Sequence, residues 1–184
     1  MGFSGCFCKM PEFTENLQNF RFFIMKNEHK DDLYNILLLL SRNIFFYNII
    51  KLPDNFETRI YLMFIHFSII MIIFKEKGQK YSQKSYDLLF HNIENNLREL
   101  GFGDVSVNKK MKDFNKILYD ILLKIKINKE KGSFVLNDKL IQKYFTPLNK
   151  NQKYELFKDY LERFYNFCFE LSPENVLINI KKFK

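Results

Sequence analysis

Two amphipathic segments that meet at a pair of glycines constrain the fold of this chain more than any other feature. From Ser85 onward, apolar side chains recur at intervals of three and four residues, which is the spacing of one helix face. Gly101 and Gly103 follow, and the same periodicity then continues to Ile127. Because glycine readily adopts the left-handed conformation that ends a helix, the pattern predicts a helical hairpin from Ser85 to Ile127. Ser85 and Ser106 are the predicted caps of its two helices.

The second helix of this predicted hairpin has an apolar side and a basic side. The residues predicted to face inward are Val107, Met111, Phe114, Leu118, Ile121, Leu122 and Ile125. The lysines predicted to face outward are Lys109, Lys112, Lys116 and Lys126. Lys109, Lys110 and Lys112 form the densest basic cluster of the chain. This cluster either solvates an exposed helix face or contacts an acidic protein, ribosomal RNA or lipid headgroups.

The most apolar stretch runs from Ile60 to Phe74 and carries no formally charged side chain. Its 15 residues would span about 22 Å as a helix, which is short of the hydrocarbon core of a bilayer, about 30 Å thick. We therefore predict a buried central helix, from Glu57 to Lys77, and not a membrane span. His66 lies in its middle, where a histidine is typically a hydrogen-bonded core residue.

The start of this helix contains Asp54, Glu57 and Arg59. The spacing of Asp54 and Glu57 fits a capping box, in which two side chains satisfy backbone amides at the helix start. Farther along, Glu94 and Arg98 are one helical turn apart, and Arg98 could instead meet Asp104 across the hairpin turn.

The whole chain reads as an all-α protein with a single compact domain of about seven helices. Its 184 residues, 47% hydrophobic and 27% charged, are typical of one globular domain. We predict a loose N-terminal segment over residues 1–12, a helical domain over 13–171 with a first helix from Thr14 to Lys26, and a basic C-terminal tail over 172–184. That tail is predicted either to dock as a short segment or to remain loose.

The net charge of +8 is placed unevenly along the chain. Residues 1–104 contain 12 basic and 12 acidic side chains, whereas residues 105–184 contain 17 basic and 9 acidic ones. A basic half-surface suits an anionic partner such as a phosphate backbone, an acidic lipid surface or an acidic protein. The three cysteines form no disulfide framework, and their odd number is typical of a reducing compartment.

Residues 96–112, which read NLRELGFGDVSVNKKMK, resemble the signature of the ubiquinol-cytochrome c chaperone family. Residues 52–59, LPDNFETR, and the Ile65-His66 pair resemble two further elements of that family. The similarity runs in order from about Leu33 to about Phe167. The chain departs from the family pattern at Thr58 and Asn108, where the family has glycine.

The resemblance implies a non-enzymatic assembly chaperone that binds newly synthesised cytochrome b during biogenesis of respiratory complex III. It also implies a small assembly-factor partner and a ribosome near its tunnel exit, while the basic half of the chain suits an anionic membrane surface. The resemblance adds an ion pair between Asp54 and Arg59. The residues that the resemblance and the basic cluster mark for client or partner binding are Asp54, Arg59, His66, Arg98, Gly101, Gly103, Asp104, Lys109, Lys110 and Lys112.

Two other functions fit the sequence. One is a basic RNA- or ribosome-binding helical module, and the other is a carrier of a small apolar ligand such as a quinone or lipid. No catalytic set, cofactor motif or DNA-binding motif emerges, and Cys6 and Cys8 lack a second pair that would complete a metal site. The absence of transit features predicts a bacterial cytoplasmic protein at the inner membrane, with the mitochondrial matrix as the alternative.

Overall fold

The computed structural model describes residues 32–128, 133–135, 137–146, 148 and 152–183. The regular secondary structure of the described residues is helical apart from one two-stranded hairpin, which confirms the predicted all-α class. The α-helices are α1 (Asp32–Ser41), α2 (Phe56–Glu76), α3 (Gln83–Glu99), α4 (Asp104–Lys124), α5 (Asp138–Tyr144), α6 (Gln152–Glu170) and α7 (Pro173–Asn179). The shorter elements are a π-helical turn (Phe45–Ile49), strands β1 (Lys126–Asn128) and β2 (Ser133–Val135), and a 3-10 turn (Ile180–Lys182). The predicted helix from Thr14 to Lys26 lies outside the described residues.

Helix α2 lies at the centre of the fold and packs against α1, α4 and α6. Its residues from Ile60 to Ile70 are buried, except for the partly exposed Tyr61. Because helices cover α2 on several sides, apolar residues are needed around most of its circumference and not on one stripe. The buried central helix is thus confirmed, and its bounds differ from the predicted ones by one residue at each end.

The predicted helical hairpin is formed by α3 and α4, which pack against each other. Both predicted caps are wrong. Helix α3 begins after Ser82, whose hydroxyl accepts the backbone N–H of Ser85 at 3.4 Å. Helix α4 begins at Asp104, with Gly103 at its N-cap, two residues before Ser106. In the first turn of a helix an aspartate interacts favourably with the exposed amides, so Asp104 stabilises this earlier start.

Helix α4 ends at Lys124, before the predicted end at Ile127, because the chain turns into a β-hairpin. Strand β1 pairs antiparallel with β2, and Ile127 lies opposite Phe134. The ring of Phe134 stacks on Tyr165 of α6, with 5.6 Å between the ring centroids. This long-range contact supports a strand pair too short to be stable alone.

The C-terminal segment takes the docked form of the two predicted. Val176 of α7 and Ile180 of the 3-10 turn are fully buried, and α7 packs against α1. A second link joins the end of α2 to the end of α6. Lys77 Nζ donates to the backbone carbonyl of Phe169 at 2.6 Å and also to that of Leu171. A cation at these terminal carbonyls stabilises the end of α6.

Candidate functional site

Asp54 and Arg59 form an ion pair at the start of α2. Arg59 Nε donates to Asp54 Oδ1 at 2.8 Å, and Nη2 donates to the same oxygen. The Arg59 side chain is only 8% exposed, whereas Asp54 is 40% exposed. Because a guanidinium that is removed from water depends on its carboxylate partner, this pair fixes the loop before α2 to the first turn of the helix.

The predicted capping box at Asp54 and Glu57 is wrong. Asn55 is the N-cap of α2, and its Oδ1 accepts the backbone N–H of Thr58 at 2.8 Å. Glu57 instead accepts a hydrogen bond from Lys110 Nζ of α4 at 3.3 Å. Two side chains that local spacing assigned to one cap therefore have different partners: Asp54 pairs with Arg59 five residues along, and Glu57 contacts another helix.

His66 is fully buried and hydrogen-bonded through both ring nitrogens. Its Nδ1 lies 2.6 Å from the backbone carbonyl of Leu62, and its Nε2 lies 3.1 Å from the hydroxyl of Tyr160. A carbonyl can only accept, so Nδ1 carries the proton and Nε2 accepts from Tyr160. Burial lowers the pKa of His66 from 6.5 to about 4. His66 is thus a neutral anchor between α2 and α6, as predicted for a core histidine, and its polar atoms face no solvent.

Gly101 ends α3 in the left-handed conformation, with φ at +86°. The Gly101 N–H bonds to the carbonyl of Arg98 at 2.9 Å, and the Phe102 N–H bonds to that of Leu97 at 3.1 Å. These two bonds make the Schellman motif. Gly103 has an ordinary φ of −71°, and an added Cβ at either glycine would meet nothing within 4 Å. Glycine is therefore required at position 101 by its backbone conformation. The packing of the two helices does not require it.

Arg98 makes both of the ion pairs predicted as alternatives. One nitrogen donates to Glu94 at 2.8 Å on α3, and another donates to Asp104 across the turn. The Arg98 side chain is 44% exposed and Asp104 is 78% exposed. Water and salt screen exposed pairs of this kind. The Arg98–Asp104 pair across the hairpin turn therefore contributes little to the stability of the fold.

The three clustered lysines of α4 have different surroundings. Lys110 is partly buried, since it pairs with Glu57 and its Nζ lies 5.2 Å from the ring centroid of Phe102. Lys109 and Lys112 are exposed and have no hydrogen-bonded or ion-paired partner among the described residues. Lys110 therefore has a structural role, whereas Lys109 and Lys112 are available to a partner.

The sequence-predicted residues do not form one site. Asp54 and Arg59 lie at the N-terminus of α2, and His66 lies two turns deeper in the core. The second group, at and beyond the α3–α4 turn, comprises Arg98, Gly101, Gly103, Asp104, Lys109, Lys110 and Lys112. The Lys110 contact with Glu57 joins the two groups. Most of these residues hold helices together, whereas Lys109 and Lys112 are exposed and have no ion-pair or hydrogen-bond partner within the described part of the chain.

An apolar groove lies elsewhere, between α1 and the C-terminal 3-10 turn. It has a volume of about 390 Å³ and is open to solvent. Its lining residues are Ile36, Leu39, Leu40, Arg42, Asn43, Ile180, Lys181 and Phe183. Leu39, the third residue in a run of four leucines, lines this groove and is 58% exposed. Burial lowers the pKa of the Arg42 guanidinium at its edge, an effect to which the nearby Arg59 adds.

Sequence reasoning missed this groove. The sequence predicts a largely buried helix from Leu33 to Phe46, because its leucines and isoleucines leave little polar face. In the structure, α1 ends at Ser41 and the side of α1 that carries Leu39 is partly exposed to solvent. No signal in a run of four leucines tells which one faces solvent, because all four look alike. The pairing of α1 with the C-terminal segment decides it.

Helix α2 is, among the described helices, long and apolar enough to cross a membrane, with a mean hydropathy of 1.6 over its most apolar window. However, 72% of that window is buried inside the protein, as in the core helix of a globular domain. The described part of the chain contains no group of three His, Cys, Asp or Glu side chains that could hold a metal ion.

Comparison with known proteins supports the resemblance of residues 52–59 and 96–112. No curated protein and no solved structure matches the chain. The model of one family, described as ubiquinol-cytochrome C chaperone, matches residues 48–177. The matched region runs from the π-helical turn through α2, the α3–α4 hairpin and α6 into α7. Because it covers well over half of the sequence, the chain belongs to the ubiquinol-cytochrome c chaperone family.

Proposed function

We propose that this protein is a non-enzymatic assembly chaperone that binds newly synthesised cytochrome b during biogenesis of ubiquinol-cytochrome c reductase. The family supports a chaperone role, and the apolar groove between α1 and the 3-10 turn carries the specific proposal. Cytochrome b is the client that the family resemblance implies, and its membrane helices are apolar. Such helices need a temporary apolar partner before insertion.

The groove has the chemistry of a helix-in-groove site. Leu39 and Phe183 offer apolar surface at its mouth, and Arg42 and Lys181 place positive charge at the rim. A groove of this kind accepts one apolar helix face, while rim cations suit a helix C-terminus or a carboxylate.

The test is site-specific photo-crosslinking in a cell-free translation reaction that synthesises cytochrome b. A photoreactive amino acid replaces Lys181 at the groove rim, and the matched control replaces the exposed Lys139 on α5. We expect crosslinks to nascent cytochrome b from position 181 and not from position 139, identified by mass spectrometry. Equal crosslinking from both positions would contradict a client site in the groove.

A pair of substitutions tests the same proposal energetically. Leu39→Asp puts a charge in the groove, and Leu123→Asp puts one at an exposed leucine of α4, so neither variant disturbs the core. We expect Leu39→Asp to reduce the crosslink at least about tenfold and Leu123→Asp to retain it. Loss of client from both variants, or from neither, would count against the groove.

A carrier of a small apolar ligand is the weaker alternative. That function calls for a cavity around the stretch from Ile60 to Phe74, whereas none of the residues that line the groove comes from α2. Copurification of a quinone or lipid with the protein, retained in Leu39→Asp, would favour a carrier.

The small assembly-factor partner, the ribosome and a place at the inner face of the bacterial or mitochondrial inner membrane remain part of this proposal. The alternative of a basic RNA-binding module rests on the exposed lysines of α4. It predicts salt-dependent binding to ribosomal RNA together with no crosslink to cytochrome b, and reversal of the lysine charges would abolish that binding.

A further inference from the structure

We propose that the outward face of α4 docks the protein on an anionic phospholipid bilayer. In this arrangement three lysines contact headgroup phosphates, and apolar side chains at both ends of the helix enter the interfacial layer. This docking surface lies on the exposed side of α4 and is independent of the client groove.

The outward face of α4 is a continuous stripe at helical spacing. Its members are Val105, Lys109, Lys112, Lys116, Tyr119 and Leu123. Val105 is 85% exposed, Leu123 is 76% exposed and Tyr119 is 55% exposed. From Val105 to Leu123 the stripe measures about 27 Å at 1.5 Å per residue. Val105 at one end of the row of lysines, and Tyr119 and Leu123 at the other, are thus exposed to solvent.

The opposite side of α4 is anchored in the core. Val107, Phe114, Leu118 and Ile121 are buried there, and α4 packs against both α2 and α3. The stripe therefore cannot relieve its exposure by rotating inward, because rotation would expose these core residues. A surface fixed in this way can lie flat against a planar partner along its whole length.

The acidic residues of α4 oppose this surface only weakly. Asp104 is paired with Arg98 at the start of the helix. Although burial alone would raise the pKa of Asp120, hydrogen bonds from Lys124, Tyr144 and Lys143 hold that pKa well below its usual range, so its charge is balanced. Asp113 lies beside the stripe, 53% exposed and 3.5 Å from Lys116 Nζ. Lys109 and Lys112 face no carboxylate within ion-pair distance among the described residues.

The apolar ends of the stripe favour lipid over RNA. A phosphate backbone attracts lysines by charge but gains nothing from burying a valine or a leucine. A bilayer attracts lysines to its anionic headgroups and also accepts apolar side chains just below them, with tyrosine suited to the boundary. The combination of Lys109, Lys112 and Lys116 with Val105 and Leu123 therefore matches a membrane surface.

The test is flotation of the purified full-length chain with vesicles of phosphatidylcholine alone or with 30% phosphatidylglycerol, about a third of the lipid. We expect binding to the anionic vesicles only, weakened by salt. The triple variant Lys109→Glu, Lys112→Glu, Lys116→Glu should bind on the order of 100-fold more weakly. The matched control, Lys80→Glu, Lys84→Glu, Lys139→Glu, changes the net charge equally at exposed lysines elsewhere and should retain most binding.

The double variant Val105→Ser, Leu123→Ser separates lipid from RNA. It should reduce vesicle binding about tenfold while leaving the affinity for a ribosomal RNA fragment unchanged. Equal losses in the two lysine triples would overturn the proposal, since binding would then follow net charge. Full vesicle binding by the double variant, or tighter binding of RNA than of vesicles at the same salt concentration, would overturn it as well.

The outcome is distinguishable from that of the client proposal. The lysine triple should keep its crosslink from position 181 to cytochrome b, and Leu39→Asp should keep its affinity for anionic vesicles. Loss of vesicle binding in Leu39→Asp as well would show that the α4 face is not the lipid surface.

Discussion

The two regions that carry the family-like residues stabilise the fold in different ways. In α2, Arg59 and His66 are buried, and each depends on specific hydrogen-bond partners. At the α3–α4 turn, Arg98 and Asp104 are exposed, and Gly101 acts through its backbone conformation. An aspartate and an arginine pair in both regions. Burial, and not residue type, therefore decides how much each pair contributes to stability.

The largest expected effect is a loss of folding stability at acidic pH that is caused by His66. Burial lowers its pKa from 6.5 to about 4, so the unfolded chain binds a proton that the folded protein excludes between these values. The stability that this contributes is fully present above pH 6.5 and is lost as the pH falls towards 4. The total loss is about 3 kcal/mol.

Denaturant unfolding at several pH values from 7.5 to 4.5 measures this loss. His66→Gln is the control, because glutamine does not titrate and any other acid-sensitive group is shared by both proteins. A wild-type protein that loses no more stability than His66→Gln on acidification would show that the imidazole is not held neutral in the core.

The next largest effect distinguishes the two partners of the buried pair. Asp54→Ala leaves the Arg59 guanidinium, 8% exposed, without its carboxylate and should lower the free energy of unfolding by about 2 kcal/mol. Arg59→Met removes the buried charge itself and leaves Asp54 at the surface, so it should cost only about 1 kcal/mol. Chemical denaturation at pH 7 compares the two variants. A greater loss of stability for Arg59→Met than for Asp54→Ala would contradict the prediction that the unpaired buried charge costs more than its removal.

The third prediction places one substitution at two neighbouring glycines. Gly101→Ser should destabilise the protein by about 1 kcal/mol, because serine is strained at a φ of +86°. Gly103→Ser should stabilise it by about 0.5 kcal/mol, because φ is −71° there and the hydroxyl supplies a cap that α4 lacks. Thermal or denaturant unfolding gives both signs. Stability changes of the same sign in both variants would show that backbone conformation does not determine the effect of serine at these two positions.

The smallest effect is expected at the exposed pair. Arg98→Met and Asp104→Asn should each lower Tm by about 2 °C or less, because both side chains are largely in water. The two losses should be similar, in contrast to the unequal losses at Asp54 and Arg59, and both should shrink at high salt. Calorimetry with and without added salt measures them. A large decrease in Tm that does not depend on salt would show that the Arg98–Asp104 pair behaves like the buried Asp54–Arg59 pair.

Much of this fold was predictable because its signals are local. The hairpin, the helix end at Gly101 and the apolar core helix around His66 follow from periodicity and backbone preference, and the structure confirms them. The helix starts were less predictable, since Asn55 and Gly103 lie at the caps in place of the expected residues. Glu57 is bound by Lys110, which is 53 residues away in sequence, and a capping rule contains no information about such a tertiary partner.

By itself, the sequence determined the class of the fold, the order of its helices, the reversal at the glycines and the lysine-bearing side of α4. Each depends on residues within a few turns of one another. The tertiary structure alone decided that Leu39 is exposed beside Phe183 and that Lys110 is used internally, while Lys109 and Lys112 remain available. These facts depend on which helices pack together across long sequence separations, and local periodicity does not encode that pairing.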